Sequence, residues 1–322
     1  MNARRFVLAV LFGLVWSGAA LAETYPARPV RVVVPFPPGG PSDVLARVIT
    51  QKLTESFSQQ FYVDNHGGAG GTIGAGLVSH SPADGYTLLF GSTTILAVSP
   101  TMYPNLPYDP AAAFAPIGLF ASVPLSLVVN RELPVSSVPE LIAYVRARPG
   151  KLFYGSAGNG TQVHFAGVLF KSRAGLDIEH VPYKGGGPAM AAMLTGEFQY
   201  MFDTPQSSLP YARDGRVKML ALTSLTRSPL LPEYPTIAET ALPGFEVISW
   251  NGLVAPAGTP REMVTQVNRK LRDLTNSKDF VDVLANLGAT PTYSTPEEMG
   301  ALLKRELVTW SNVAKENGIK AE

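Results

Sequence analysis

The chain has 322 residues, of which 46% are hydrophobic and none is cysteine, with 26 basic groups against 25 acidic ones. A nearly neutral chain without a basic block excludes nucleic-acid binding, and the absence of thiols excludes disulfides and thiolate metal sites. The length suits two domains, and the 30 glycines and 28 prolines are spread out, which predicts short elements joined by tight turns.

Residues 1–22 read as a signal peptide. Arg4 and Arg5 supply the positive start, residues 6–16 an apolar stretch, and Ala20, Leu21 and Ala22 a small-residue cleavage pattern. Its removal takes the basic count from 26 to 24 against 25 acidic groups, so the net charge moves from +1 to −1. No run approaches the roughly 20 apolar residues of a membrane helix. The expected location is therefore outside the cytoplasm.

The first folded stretch, VRVVVPFPPGGPSDVLARVITQKL, joins a buried strand, a bare loop and a helix start. Val30, Val32, Val33 and Val34 form a β-branched run of the kind buried in parallel sheets. Pro35, Pro37 and Pro38 stop it, Gly39 and Gly40 leave the backbone unshielded, and Ser42 or Asp43 is expected to cap the helix. Val44, Val48, Ile49 and Leu53 give that helix an apolar face. Strand, glycine turn and helix N-terminus together make a pocket of outward N–H groups that prefers an anion. The stretch KLFYGSAGNGTQVHFAGVL repeats the design, with Ser156, Ala157, Gly158, Asn159 and Gly160 in the loop and Thr161 as cap. One such turn often only packs a helix on its strand; two in one chain are more specific.

Between them lie an expected strand at 60–64, a loop reading NHGGAGGTIGAG whose glycines miss the dinucleotide spacing, a small-residue helix at 73–79, and a strand at 87–90 ending in Ser92 and Thr93. Residues 117–130 read as a strand passing from one domain to the other. Strands are then expected at 179–183, 198–202 and 217–222, a return strand at 247–255, and three closing helices at 261–274, 279–287 and 296–315. Alternating strands and helices imply doubly wound mixed sheets. Two crossings would leave a cleft at a hinge.

For the individual residues two readings stand side by side. Asp43 either pairs with Arg47 and satisfies the helix dipole or touches a ligand; Asp203, at a strand end, either caps a turn or accepts from a ligand. His164, one turn into the second glycine-loop helix, is either packed or near a site. Lys184 is either solvated or faces an anion, and Tyr183 and Trp250 are either core or cleft. No G-x-S-x-G elbow, HExxH or paired histidine spacing occurs, so an enzyme is the lesser reading and no cofactor or metal is expected.

Taken together, VVVPFPPGGPSDVLAR, GAGGTIGA, SPADGYTLLFGS, LPYDP, FAPIGLFASVP, RPGKLFYGSAGNGTQVHF, HVPYKGGGPAMAAMLTGE, LALTSLTRSPLLPEYPTIAE and LPGFEVISWNGLVAPAGTP resemble the periplasmic receptors of tripartite tricarboxylate transporters, the Bug family. The resemblance runs in order along the whole mature chain. It implies an α/β fold similar to class II periplasmic binding proteins: two lobes, each a doubly wound mixed sheet flanked by helices, joined by crossing strands. Lobe 1 would span 23–123 plus 252–322, and lobe 2 would span 124–251.

It further implies that a carboxylate is pinched between Phe36, Pro37, Pro38, Gly39, Gly40, Ser42 and Asp43 of one lobe and Ser156, Ala157, Gly158, Asn159 and Thr161 of the other; His164 joins the candidate contacts from its place one turn into the helix. Ser92, Thr93 and Asp203 are further implied contacts. The implied partners are membrane permease subunits or a sensor kinase; no interface pattern is visible in the sequence, so a monomer is expected. The alternatives are a secreted serine hydrolase using Ser156 or Ser92 with His164, and a solute sensor. Two departures stand out: His66 and Gly67 replace the usual arginine and proline before GAGG, and Ala111, Ala112 and Ala113 replace an acidic pattern.

Overall fold

The computed structural model describes residues 25–103, 105–316 and 318–319, so the expected signal peptide lies outside it. The valine run forms β1 (Val30–Val34), followed by α1 (Pro41–Phe57), β2 (Phe61–Asn65), a 3-10 turn (Ala69–Gly71), α2 (Thr72–Ser79) and β3 (Thr87–Ser92). A π turn (Thr94–Val98) leads into the short α3 (Ser99–Met102) and then the long β4 (Phe114–Pro124). The second unit contains β5 (Ser126–Asn130), α4 (Val138–Arg146), β6 (Phe153–Ser156), α5 (Gln162–Ala174), β7 (Glu179–Pro182) and α6 (Gly186–Thr195). It continues with β8 (Tyr200–Asp203), α7 (Pro205–Arg213), β9 (Val217–Leu222) and α8 (Ile237–Thr240). The chain returns as β10 (Ile248–Pro256) and closes with α9 (Arg261–Thr275), α10 (Lys278–Asn286), β11 (Thr290–Pro291) and α11 (Pro296–Glu316).

Two mixed sheets result, as the alternation of elements implies. The six-stranded sheet of lobe 1 runs β11-β4-β10-β3-β1-β2, and the five-stranded sheet of lobe 2 runs β7-β6-β8-β5-β9. β1 pairs in parallel with β2 and β3, and β6 in parallel with β7 and β8. The glycine loops therefore leave the carboxyl ends of central parallel strands, where ligands of open α/β sheets sit.

The expected crossing strand is two strands, β4 and β5, broken at Leu125. Fully buried Thr223 knots the crossing: its Oγ1 donates to the Val247 carbonyl at 2.6 Å and accepts the Leu125 N–H at 2.8 Å. One hydrophobic cluster runs through this hinge from Val33 and Leu89 to Tyr200 and Phe202, taking in Trp250 and Trp310. Two others stay within one lobe each, one around Leu45, Ile49 and Phe120, the other around Met190, Phe198 and Met201.

Local details differ from the sequence expectation. On α1 the buried stripe is Leu45, Ala46, Ile49 and Leu53, whereas Val44 is exposed. Counting back four residues from Ile49 gives Leu45, so Val44 lies just off the stripe. The strand expected from 198 begins at Tyr200, and Phe198 instead packs beneath Gly155.

Candidate functional site

On lobe 1 the proline-glycine loop leads from β1 into α1. The cap position is Gly40, which has no side chain, so the expected capping by Ser42 or Asp43 is corrected: both lie inside the first turn. The first helical bond is Val44 N–H to the Gly40 carbonyl, so the amides of Ser42 and Asp43 lie in the first turn ahead of it. Asp43 reaches back to accept the Gly39 N–H at 2.9 Å and also accepts from Arg47 Nε at 2.8 Å and Asn65 Nδ2 at 2.9 Å. The Arg47 contact, first, holds its carboxyl down to about 2. Its capacity goes to fixing the loop, the structural reading of the two.

Small residues behind the loop have a steric reason. A Cβ on Gly74 would sit 2.7 Å from Pro35 Cβ and from the His66 carbonyl, and one on Gly67 would sit 3.1 Å from Pro37. His66, the departure from the family pattern, joins Arg31 and Asp64 in a cluster along β1 and β2, with 3.0 Å from Nε2 to each partner. At the end of β3, Ser92 is buried and its Oγ has no hydrogen-bond partner among the described residues. Thr93 is committed elsewhere: its Oγ1 donates to the Ile248 carbonyl and accepts the Trp250 N–H, both at 3.0 Å. It therefore clamps the returning strand.

Lobe 2 gathers three helix N-termini, those of α5, α6 and α7, because their strands β6, β7 and β8 run parallel side by side. Thr161 caps α5, accepting the His164 N–H at 3.3 Å, as expected. Ser156 is fully buried, and its Oγ lies 2.7 Å from Nε2 of His180, not against His164. His164 stacks on His180 with ring centroids 4.0 Å apart, and its Nδ1 accepts the Gly160 N–H at 3.1 Å. Burial pushes His164 down to about 4, and burial together with the neighbouring ring pushes His180 down to about 3. Both are neutral near pH 7, so they staple the loop rather than supply charge. His180 escaped the sequence reading because it lies on another strand, 24 residues from Ser156.

Asp203 ends β8 with Oδ1 accepting the Thr204 N–H at 2.8 Å, while its buried Oδ2 has no hydrogen-bond partner among the described residues. Burial raises its pKa, opposed by the Ser207 and Thr204 hydrogen bonds. A group in that state accepts a proton or a hydrogen-bond donor and disfavours a second fixed anion beside it.

The lobes touch along several elements. A Cβ on Gly160 would lie 2.0 Å from Met102 Cε, so the second glycine loop rests on α3 of lobe 1; on the other flank Gln206 Nε2 donates to the Leu287 carbonyl at 2.8 Å. Beside the first contact is a cavity of about 400 Å³ lined by Met102 and Tyr103 of lobe 1 and by Gly158, Asn159, Tyr183 and Lys184 of lobe 2. Of the residues singled out from sequence, this cavity brings together Gly158, Asn159, Tyr183 and Lys184. The loop from Phe36 to Gly40 does not line it. The 3-10 turn stands between that loop and the cavity, since a Cβ on Gly70 would lie 3.2 Å from the Tyr103 ring and one on Gly71 3.5 Å from Pro35. Met102 and Tyr103 carried no sequence signal, because an apolar pair after a helical turn reads as core. Among the described residues no group of three or more His, Asp or Glu is placed to hold a metal, and no helix is long and apolar enough to cross a membrane.

Comparison with known proteins adds the following. A family model described as tripartite tricarboxylate transporter family receptor matches residues 45–319. The protein BugT from Bordetella pertussis is 37% identical over 324 residues, covering 99% of both chains. A solved R. palustris structure with adipate is 40% identical with a TM-score of 0.77, covering 92% of this chain and 99% of that one. MatC from Rhodopseudomonas palustris with bound malate is 33% identical with a TM-score of 0.72, covering 90% and 99%.

Proposed function

Given that the chain belongs to the tripartite tricarboxylate transporter receptor family, we propose that it captures a small carboxylated solute between its two lobes and hands it to a membrane permease of that transporter class. The family comprises periplasmic solute receptors rather than enzymes. A signal peptide at residues 1–22 is the proposed route to that compartment. The proposed lobes span 23–123 plus 252–322 and 124–251, and the receptor acts as a monomer. Adipate and malate in the two solved neighbours support a dicarboxylate as the ligand class.

The observation that carries the reading is the cavity shared by the lobes, where the second glycine loop meets Met102 and Tyr103. Backbone N–H groups at helix starts favour a carboxylate without a fixed cation, which suits release as well as capture. Ser92 Oγ and Asp203 Oδ2, buried and without a hydrogen-bond partner among the described residues, support polar contacts from both lobes, with Asp203 taking a hydroxyl, an ammonium or a protonated carboxyl of the solute. Each lobe holds part of the site, so closure completes it.

The test is binding calorimetry against mono-, di- and tricarboxylates and amino acids. One tight ligand among the dicarboxylates is expected, and silence across the panel would remove the ligand class. Uptake of that ligand in a permease-deleted strain distinguishes a transport receptor, which loses uptake, from a sensor, which does not.

A further inference from the structure

Beside the crossing strands lies a second cavity, about 480 Å³, lined by both lobes and including Ser122, Ser224, Ile248, Trp250 and Glu306. Glu306 projects from α11, and one of its oxygens, Oε2, accepts from two indoles. Trp250 Nε1 on the returning strand is 2.8 Å away, and Trp310 Nε1, one helical turn along, is 3.4 Å away. Trp250 is thus held twice, since its own backbone N–H donates to Thr93. Trp310 in turn stands edge-on to Phe165 of α5 in lobe 2, with centroids 5.6 Å apart. Phe165 neighbours His164, which holds the Gly160 N–H, and Gly160 rests on Met102. A continuous set of contacts joins this carboxyl to the place where the lobes touch.

We infer that Glu306 is a positioning residue for lobe closure: its carboxyl fastens the crossing strand to the helix that braces lobe 2, so that proton uptake there is linked to closure and to ligand capture. The inference rests on the closing-receptor reading for its consequence but not for its chemistry. A free carboxyl on a helix surface would be ionised well below neutral pH. Here burial raises the Glu306 carboxyl to about 7, against the pull of both indoles and of Arg305, while the charge of Glu246 pushes the same way as burial.

The charged groups around it come from few elements. Arg305 is on its own helix, and Glu246 precedes β10. Arg227 across the cavity is paired with Glu239 at 2.8 Å. β4, β10, β11, the π turn and α3 carry no charge. α5 presents Phe165 with its His164 stacked on His180, and α9 pairs Arg261 with Glu297 of α11. Ser224 and Arg227 of lobe 2 wall the cavity that Glu306 lines, so on this inference parting the lobes returns the carboxyl to water, the protonated form favours contact, and rising pH favours parting. A difference of one pKa unit between two arrangements is a tenfold shift in their equilibrium.

The sequence supplies the probe, because two of the three tryptophans, Trp250 and Trp310, are the partners of this carboxyl. Tryptophan emission of the full chain is followed through pH for the wild type and for Glu306→Gln, and subtraction removes the share of Trp16. The difference curve is expected to titrate with a midpoint about 7, and a flat difference overturns the contact. Trp250→Phe, which removes one pulling donor, is expected to move the midpoint up, read through Trp310; an unmoved midpoint overturns it equally.

Affinity for the tightest carboxylate of the panel is then measured at about pH 6 and about pH 8. A three- to tenfold weakening in the wild type and a flat profile in Glu306→Gln are expected from the linkage. Identical profiles overturn the link to closure. If neither protein binds any carboxylate, the receptor reading fails and the closure link falls with it, while the emission titration still decides the contact.

Discussion

Gly160→Ala separates what the second glycine loop does for folding from what it does between lobes. Gly160 has φ +72°, a left-handed conformation that costs an L-residue about 1 kcal/mol or slightly more. Its added Cβ would also lie 2.0 Å from Met102 Cε and 2.3 Å from Met102 Sδ. The methionine end is flexible and gives way, at a cost of roughly 1–3 kcal/mol for a local overpacking. That second cost arises only while lobe 2 touches lobe 1.

Gly175 is the control, with φ +59° and nothing within 4 Å of an added Cβ. Urea unfolding should therefore show a loss of about 1 kcal/mol for Gly175→Ala and somewhat more for Gly160→Ala. Calorimetric titration with the bound carboxylate should show unchanged affinity for Gly175→Ala and a loss of about tenfold or more for Gly160→Ala, since about 1.4 kcal/mol is one decade. Equal affinity in the two variants would refute the interlobe role of the loop.

His164 and His180 are held down to about 4 and about 3, below the ordinary value near 6.5, so their contribution to stability is complete above that value and is lost as pH falls through it. Between about pH 6.5 and 5 each should contribute a loss of about 2 kcal/mol, and urea melts should show a shallower loss in His180→Gln; an unchanged slope would contradict the stacked pair. Gly155→Ala drives a Cβ to 2.3 Å from the buried Phe198 ring and should cost at least about 1–3 kcal/mol in a thermal melt. Asp203→Asn keeps the acceptor for the Thr204 N–H and removes a charge that burial already disfavours. Stability should hold to within about 1 kcal/mol, whereas the order of preference across a carboxylate panel should change. Thr223→Val strips the hydroxyl that ties Leu125 to Val247 and should cost about 1–3 kcal/mol by denaturant unfolding.

Patterns local in the chain were legible without coordinates. The valine run, the two glycine loops, the Thr161 cap and the closing helices all follow from residues within one or two turns of each other, where β-branching, missing side chains and capping hydroxyls act directly. What stayed hidden depends on partners distant in sequence. Ser156 meets His180 rather than His164 only because β6 and β7 pair in parallel register, Tyr154 opposite His180 and Ser156 opposite Pro182. Thr93 and Thr223 read as ordinary polar residues until the crossing strands lie against them. Asp43 was ambiguous because the Arg47 contact is visible at helical spacing while the Asn65 contact comes from the next strand. Met102 shows the same limit: an apolar residue in sequence becomes the surface against which the other lobe rests.

The central claim, that helix starts beside the cavity between the lobes hold an anionic solute by backbone N–H groups, is tested most directly by comparing the tightest carboxylate with its uncharged amide in titration calorimetry. The account predicts one carboxylate per chain and no measurable heat from the amide. Equal binding of the two would contradict it.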